Sequence, residues 1–223
     1  MGDTITLKSP ADGYELSAYH EAPFTPRKGG VIVLQEIFGV DKYVRADVER
    51  WAKAGYEAIA PSLFDRRERG FSVGHDSEGM AAGIAHARAT PLEQALADIA
   101  AARDFLAPRG KVCVVGYCYG GSLAWLSAAK VEGIAAASSY YGSMVKANAE
   151  LPLACPVIVH LGHTDPGIKA DEVEAAVKAA HPEVPVYIYE GAGHGFNNES
   201  PERYHEEAAD LARLRTRELF ESV

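Results

Sequence analysis

Two hydrophobic rhythms divide the chain. Short alternating segments at residues 4–8 and 14–20 open it, with Asp12-Gly13 as the turn between them. From residue 30 the alternation gives way to continuous apolar runs at 30–36, 56–60, 111–115, 134–141, 156–162 and 185–189. Such runs suit strands buried on both faces of a parallel sheet. Helical spacing fills the gaps. Val44, Val48 and Trp51 share one face, and Gly55 is placed to end that helix. Thr90-Pro91-Leu92-Glu93 reads as a capping box with proline at the first helical position, followed by the stripe Leu92, Leu96, Ile99, Ala102, Leu106. Val173, Ala176, Val177 and Ala180 mark another helix, and Ser200-Pro201-Glu202 reads as the start of a charged C-terminal one. Residues 64–90, rich in charge and glycine, read as an irregular surface excursion, either bearing substrate contacts or poorly packed. Strands alternating with helices predict an α/β fold: a mostly parallel central sheet with helices on both faces, in one domain over 1–223.

Composition narrows the function classes. The 223 residues suffice for one large core, and 48% hydrophobic with 24% charged residues is ordinary for a globular chain. A net charge of −9 with no Lys/Arg stripe argues against nucleic acid as a partner. No apolar segment is long enough to span a membrane and no secretory signal opens the chain, so a cytoplasmic protein is expected. Three cysteines are too few and too scattered for a disulfide framework or a thiolate zinc site, and no metal is expected. Cys113 and Cys155 sit in or beside apolar runs, as small hydrophobes do. Cys118 does not.

The strand-like run 111–115 leads directly into Gly116-Tyr117-Cys118-Tyr119-Gly120-Gly121 and then a helical stretch. Strand, glycine-flanked nucleophile and helix define the nucleophile elbow, a turn too tight for side chains two residues either side of its centre. A helix N-terminus there favours the attacking thiolate. The rival reading is a glycine-rich turn carrying an inert cysteine. A phosphate-binding loop fails because no Gly-Lys-Ser/Thr follows.

Partners come downstream in the order that an α/β-hydrolase fold requires, acid and then histidine, each just past a strand. Asp165 follows the run 156–162, and His194 follows the run 185–189. His194 would exchange protons with the thiol and the leaving oxygen while Asp165 fixes its tautomer. Asp165 could instead be a turn residue before Pro166, and most of the eight histidines, His75, His181 and His205 included, read as solvent-facing or structural. His160 and His163 point to different sides of a strand, which argues against a metal pair. The oxyanion donors expected are the backbone N–H groups of Tyr119 and Ile37. Glu36, at the end of the first buried run, reads equally as a solvated strand-end carboxylate or as a group close to the nucleophile.

Gln-Glu-Ile-Phe-Gly at 35–39, Gly-Tyr-Cys-Tyr-Gly-Gly at 116–121 and Gly-His-Gly-Phe at 193–196 resemble the dienelactone hydrolase (carboxymethylenebutenolidase) family over nearly the whole chain. The resemblance implies a Cys118-His194-Asp165 triad, no cofactor, and cleavage of an enol-lactone or small ester. It also implies that Glu36 pairs with the resting thiol and assists its deprotonation. Phe38, Tyr117, Phe196, Asn198 and Arg88 are then the candidate substrate contacts. One departure stands out. Family members clamp a substrate carboxylate with two arginines, one of them four residues after the histidine, where this chain has Asn198. The other could be Arg66, Arg67, Arg69 or Arg88. Asparagine lacks the charge and the bidentate fork, so weaker selection for carboxylate substrates is expected. The competing functions are a thioesterase or general esterase, a non-catalytic ligand-binding protein of the same fold, and a redox sensor at Cys118. A monomer or homodimer is expected.

Overall fold

The computed structural model describes residues 2–223. Eight strands form one sheet: β1 (Asp3–Lys8), β2 (Glu15–Glu21), β3 (Gly29–Leu34), β4 (Tyr56–Pro61), β5 (Val112–Tyr117), β6 (Ile134–Tyr140), β7 (Val157–Gly162) and β8 (Val186–Tyr189). Their order is β1-β2-β4-β3-β5-β6-β7-β8, with antiparallel pairing only at β1/β2 and β2/β4. Every residue of β3, β4, β5 and β7 is buried, which is why these strands read as unbroken apolar runs.

Six helices cover the sheet: α1 (Lys42–Lys53), α2 (Ser77–Ala89), α3 (Leu92–Leu106), α4 (Tyr119–Lys130), α5 (Ala170–Ala180) and α6 (Glu206–Ser222). The chain leaves β3 toward β4 through α1 and leaves β5 toward β6 through α4, in opposite directions along the sheet. Right-handed crossovers therefore put α1 on one face and α3, α4 and α5 on the other. Trp51 of α1 and Phe220 of α6 pack with ring centroids 5.2 Å apart, so α6 shares the face of α1. The reversal of direction between β3 and β5 opens a crevice beyond their C-terminal ends, where α/β folds place ligands. Cys118 and the Gln35–Gly39 segment sit at that crevice.

Three local expectations are corrected. Thr90 is not a capping box for α3: its hydroxyl donates back to the His86 carbonyl at 2.9 Å, closing α2, and α3 starts with no side-chain cap. The C-terminal helix does not begin at Ser200. Residues 200–204 form a turn, with Arg203 and Tyr204 N–H on the Ser200 carbonyl, and α6 starts at Glu206 with His205 accepting from Ala208 N–H. The excursion 64–90 is not poorly packed. It holds buried Phe64 and Phe71 and the helix α2, capped by Asp76. Among the described residues no helix is long and apolar enough to cross a membrane.

A buried polar cluster ties α6 to the sheet. His160 Nδ1 lies 2.8 Å from Tyr189 Oη, and Thr216 Oγ1 meets His160 Nε2, Tyr140 Oη and Ser138 Oγ at 3.1, 2.8 and 2.9 Å. Burial pushes the His160 pKa down to about 3, so the ring is neutral and serves as a structural hydrogen-bonding group. His163 lies outside this cluster, exposed and 2.6 Å from Glu190.

Candidate active site

Cys118 occupies the single residue between β5 and α4 and holds φ 54°, ψ −110°. A non-glycine residue in that region costs about 1–3 kcal/mol and persists only where its neighbours enforce it. Here they do. A Cβ on Gly116 would lie 2.0 Å from the Gly120 carbonyl oxygen, and one on Gly120 would lie 2.4 Å from that of Leu34. The backbone is pinned by Cys118 N–H on the Tyr140 carbonyl and Gly120 N–H on the Gln35 carbonyl, both at 3.0 Å. The side chain is thus presented at the N-terminus of α4, above the C-terminal ends of the sheet strands.

Asp165 follows β7 and His194 follows β8. His194 Nδ1 lies 2.7 Å from Asp165 Oδ2, while Asp165 Oδ1 accepts from the N–H groups of Gly167 and Ile168 at 2.8 and 3.1 Å. Asp165 is therefore a turn residue and the partner of a histidine at once, with one oxygen for each task. Burial disfavours the imidazolium, but hydrogen bonds to Asp165 and the Cys118 thiol outweigh it and hold the His194 pKa up to about 10.

That raised value has a consequence for stability. The folded protein holds a proton on His194 at pH values where the unfolded chain, titrating near 6.5, has lost it. The stabilisation is full below about pH 6.5 and fades as pH rises toward about 10. Thermal unfolding followed across this window should show Tm falling in the wild type and a flatter profile in Asp165→Asn. Parallel profiles would mean that the two side chains are not coupled in solution.

Glu36 lies just past β3 and is 5% exposed. Its Oε2 accepts from Asn198 Nδ2 at 2.9 Å, and its Oε1 is buried with no hydrogen-bond partner. Burial pushes this carboxyl up, against the pull of His194 and the Asn198 bond. Beside it stands Tyr141, which directly follows β6 at φ 39° and packs its ring 5.1 Å from that of His194. Burial first, then the Glu36 charge, raises its phenol, which stays protonated. The backbone N–H groups of Ile37 and Tyr119 have no acceptor among the described residues. Ile37 is braced from behind by α2, since a Cβ on Gly83 would lie 2.2 Å from the Ile37 carbonyl oxygen. Among the described residues no three His, Cys, Asp or Glu side chains converge as a metal site.

The dienelactone hydrolase family model matches residues 16–223. The chain belongs to the dienelactone hydrolase family. A carboxymethylenebutenolidase of Pseudomonas putida is 32% identical over 224 residues, covering 96% of this chain and 94% of that one. The relative from Pseudomonas knackmussii, of the same name, matches at the same identity and coverage. A solved structure from Klebsiella pneumoniae, assigned to the dienelactone hydrolases, superposes with a TM-score of 0.85 at 30% identity, covering 99% of this chain and 98% of that one. The fold is that of the α/β-hydrolases, and the protein is a carboxylic ester hydrolase.

Most side chains that the sequence offered as substrate contacts of a dienelactone hydrolase are buried. Phe196 is fully buried among Tyr140, Tyr141 and Tyr189. Tyr117 is buried with its hydroxyl on Asp47 at 2.7 Å. Phe38 is 2% exposed and stacks on His75 at 3.8 Å. Asn198 is buried too: its Nδ2 is on Glu36 and its Oδ1 accepts from Ser200 N–H at 3.1 Å. The amide at the position of the family's clamp arginine therefore serves Glu36. Arg66 is held by Asp98 and Asp12, Arg67 by the Ala89 carbonyl and Arg69 by the Glu15 carbonyl. Arg88 is exposed near the end of α2. Tyr141 was missed in the sequence, although its place directly after a central strand marks it as a site position.

Proposed function

We propose that this dienelactone hydrolase cleaves small lactones or esters through a thioester acyl-enzyme on Cys118, with an enol-lactone of the kind its Pseudomonas relatives are named for as the model substrate. The observation that carries the reading is the 2.7 Å contact between His194 Nδ1 and Asp165 Oδ2, which leaves Nε2 for the thiol of the strained Cys118. His194 already holds a proton, so the thiol proton passes to Glu36 as Sγ attacks the carbonyl carbon, and the oxyanion is held by the free N–H groups of Ile37 and Tyr119. The carbon–oxygen bond then breaks and the leaving oxygen takes the proton from His194. Water attacks the thioester, giving its proton to His194. The carboxylic acid departs, and the thiol is restored by the proton that Glu36 held.

Glu36 is assigned a part in thiol deprotonation. A buried carboxyl that burial has raised is a better proton acceptor than a solvated one. Glu36→Gln, which keeps the shape and an acceptor for Asn198, is expected to lower kcat about a hundredfold with KM little changed. Unchanged turnover would remove Glu36 from the chemistry. The function itself is tested by measuring kcat/KM on an enol-lactone, an aryl ester and a thioester of matched acyl groups. The expected result is turnover of the lactone and the ester; inactivity on all three would overturn it.

A further inference from the structure

Glu36 also lines a small polar cavity, which lies between α1 and residues 197–199 and is completed by Tyr141 and by Arg213 of α6. About 30 Å³ of it is open to water, enough for one or two molecules. Three of the residues around it carry a buried polar atom that no group among the described residues satisfies: Glu36 Oε1, Asn197 Oδ1 and Arg213 Nε. Glu36 and Asn197 are 5% and 7% exposed, so bulk solvent does not answer those oxygens either. Glu36 and Arg213 use their other groups elsewhere. Glu36 Oε2 accepts from Asn198, and an Arg213 terminal nitrogen donates to the Asn197 backbone carbonyl at 3.1 Å and to Glu199 at 3.0 Å.

Buried polar atoms without partners are costly, and in folded proteins such atoms are commonly met by an internal water that makes about three hydrogen bonds. The three atoms here suit one water molecule. Two are acceptors and one is a donor, while a water can donate twice and still accept. The remaining charges of the cavity are answered among themselves, since Arg50 lies 2.6 Å from both Asp47 and Glu199.

We propose that this cavity is a water site serving the reaction: a buried water donates to Glu36 Oε1 and Asn197 Oδ1, accepts from Arg213 Nε–H, and keeps Glu36 ionised and ready to take the thiol proton. The inference rests on the proton-accepting part given to Glu36 above. Burial alone pushes this carboxyl up, and a carboxyl protonated at rest could accept nothing. A hydrogen bond donated to the charged form opposes that push. Of the other groups that act on Glu36, His194 past β8, His75 ahead of α2 and the Asn198 amide draw it down. Asp41 at the start of α1 pushes it up, and the Tyr141 phenol past β6 is neutral. Asn197 is then a positioning residue, acting on Glu36 through the water.

A high-resolution crystal structure of the wild-type protein should show an ordered water within about 3.2 Å of both Glu36 Oε1 and Asn197 Oδ1. Infrared spectroscopy then reads Glu36 itself, as the carboxyl band that wild type has and Glu36→Gln lacks, followed across pH. Its midpoint should rise by about one pH unit or more in Asn197→Leu, a roughly tenfold loss of the carboxylate form at acidic pH. Leucine keeps the size of the side chain and the backbone carbonyl that Arg213 uses. Asn197→Ser, which retains a polar atom and leaves room for water, should stay within about half a unit of wild type. The acid limb of kcat/KM against pH should move with the infrared midpoint. No water at that place, or Oε1 met by the Cys118 thiol in its stead, would overturn the proposal, and the wild-type structure decides this even if Asn197→Leu does not fold. An unchanged midpoint in Asn197→Leu would overturn it as well, and so would equal shifts in both variants, which would make the side chain a packing element. The crystallographic and infrared readings need no turnover, so a failed hydrolase function leaves them standing. An acid limb that stays put while the midpoint moves would overturn the link to the reaction.

Discussion

Cys118→Ala is expected to lower kcat by about four orders of magnitude or more while leaving the protein folded. The expectation follows from the elbow. No other sulfur or hydroxyl is held at φ 54° between β5 and the N-terminus of α4. Alanine fits the same backbone with less bulk, so the loss should be chemical. His194→Ala should cost about as much, because the leaving oxygen would then have no acid and the attacking water no base. The double variant should be little worse than either single one, as residues acting in one unit lose their effect together. Steady-state kinetics on an activated ester, with circular dichroism to confirm folding, checks all three. Additive losses would place the two residues in separate steps, and near-normal turnover by Cys118→Ala would end the covalent account.

A large effect on stability should come from Gly120→Ala. The new Cβ would lie 2.4 Å from the Leu34 carbonyl oxygen and 2.6 Å from that of Gln35, both backbone atoms of the segment that leads into Glu36. No flexible side chain is there to yield, so α4 must shift away from β3 and the Gly120 N–H must lose its bond to Gln35. Clashes of this kind cost on the order of 4 kcal/mol, which for a chain of this size lowers Tm by about 10 °C or prevents folding. Gly70→Ala is the control. Unlike Gly120, it sits at positive φ, 72°, but nothing lies within 4 Å of the new Cβ. It should cost only about 1–2 kcal/mol of backbone strain. Calorimetric unfolding of both variants makes the comparison, and similar losses would show that the close approach at residue 120 is relieved in solution.

What could be read from the chain tracks how each element is held. The central strands were legible because burial on both faces writes itself as a continuous apolar run. Helix α2 was not, because its buried positions are Gly79 and Gly83. A helix that approaches its neighbour through glycine leaves no apolar stripe to find. Thr90 and Ser200 each begin a plausible helix start, yet Thr90 turns its hydroxyl back to the preceding helix and Ser200 closes a turn. The positions of Cys118, Asp165 and His194 followed from strand ends in order, a property of topology that sequence carries well. Contacts made through space did not. Glu36 and Asn198 are 162 positions apart, and nothing in either neighbourhood announces that one amide holds the other's carboxyl. Arg203 likewise meets Phe38 and Gly195 only once the turn before α6 is folded.

The central claim is a covalent intermediate on one atom, and it can be observed directly. Wild-type protein mixed with a slowly deacylating activated ester and quenched in acid within the first turnover should gain the mass of one acyl group. Fragmentation should place that mass on Cys118, and a burst of released alcohol equal to the enzyme concentration should accompany it. An acyl group found on another residue, or turnover at full rate with neither burst nor mass gain, would contradict the account.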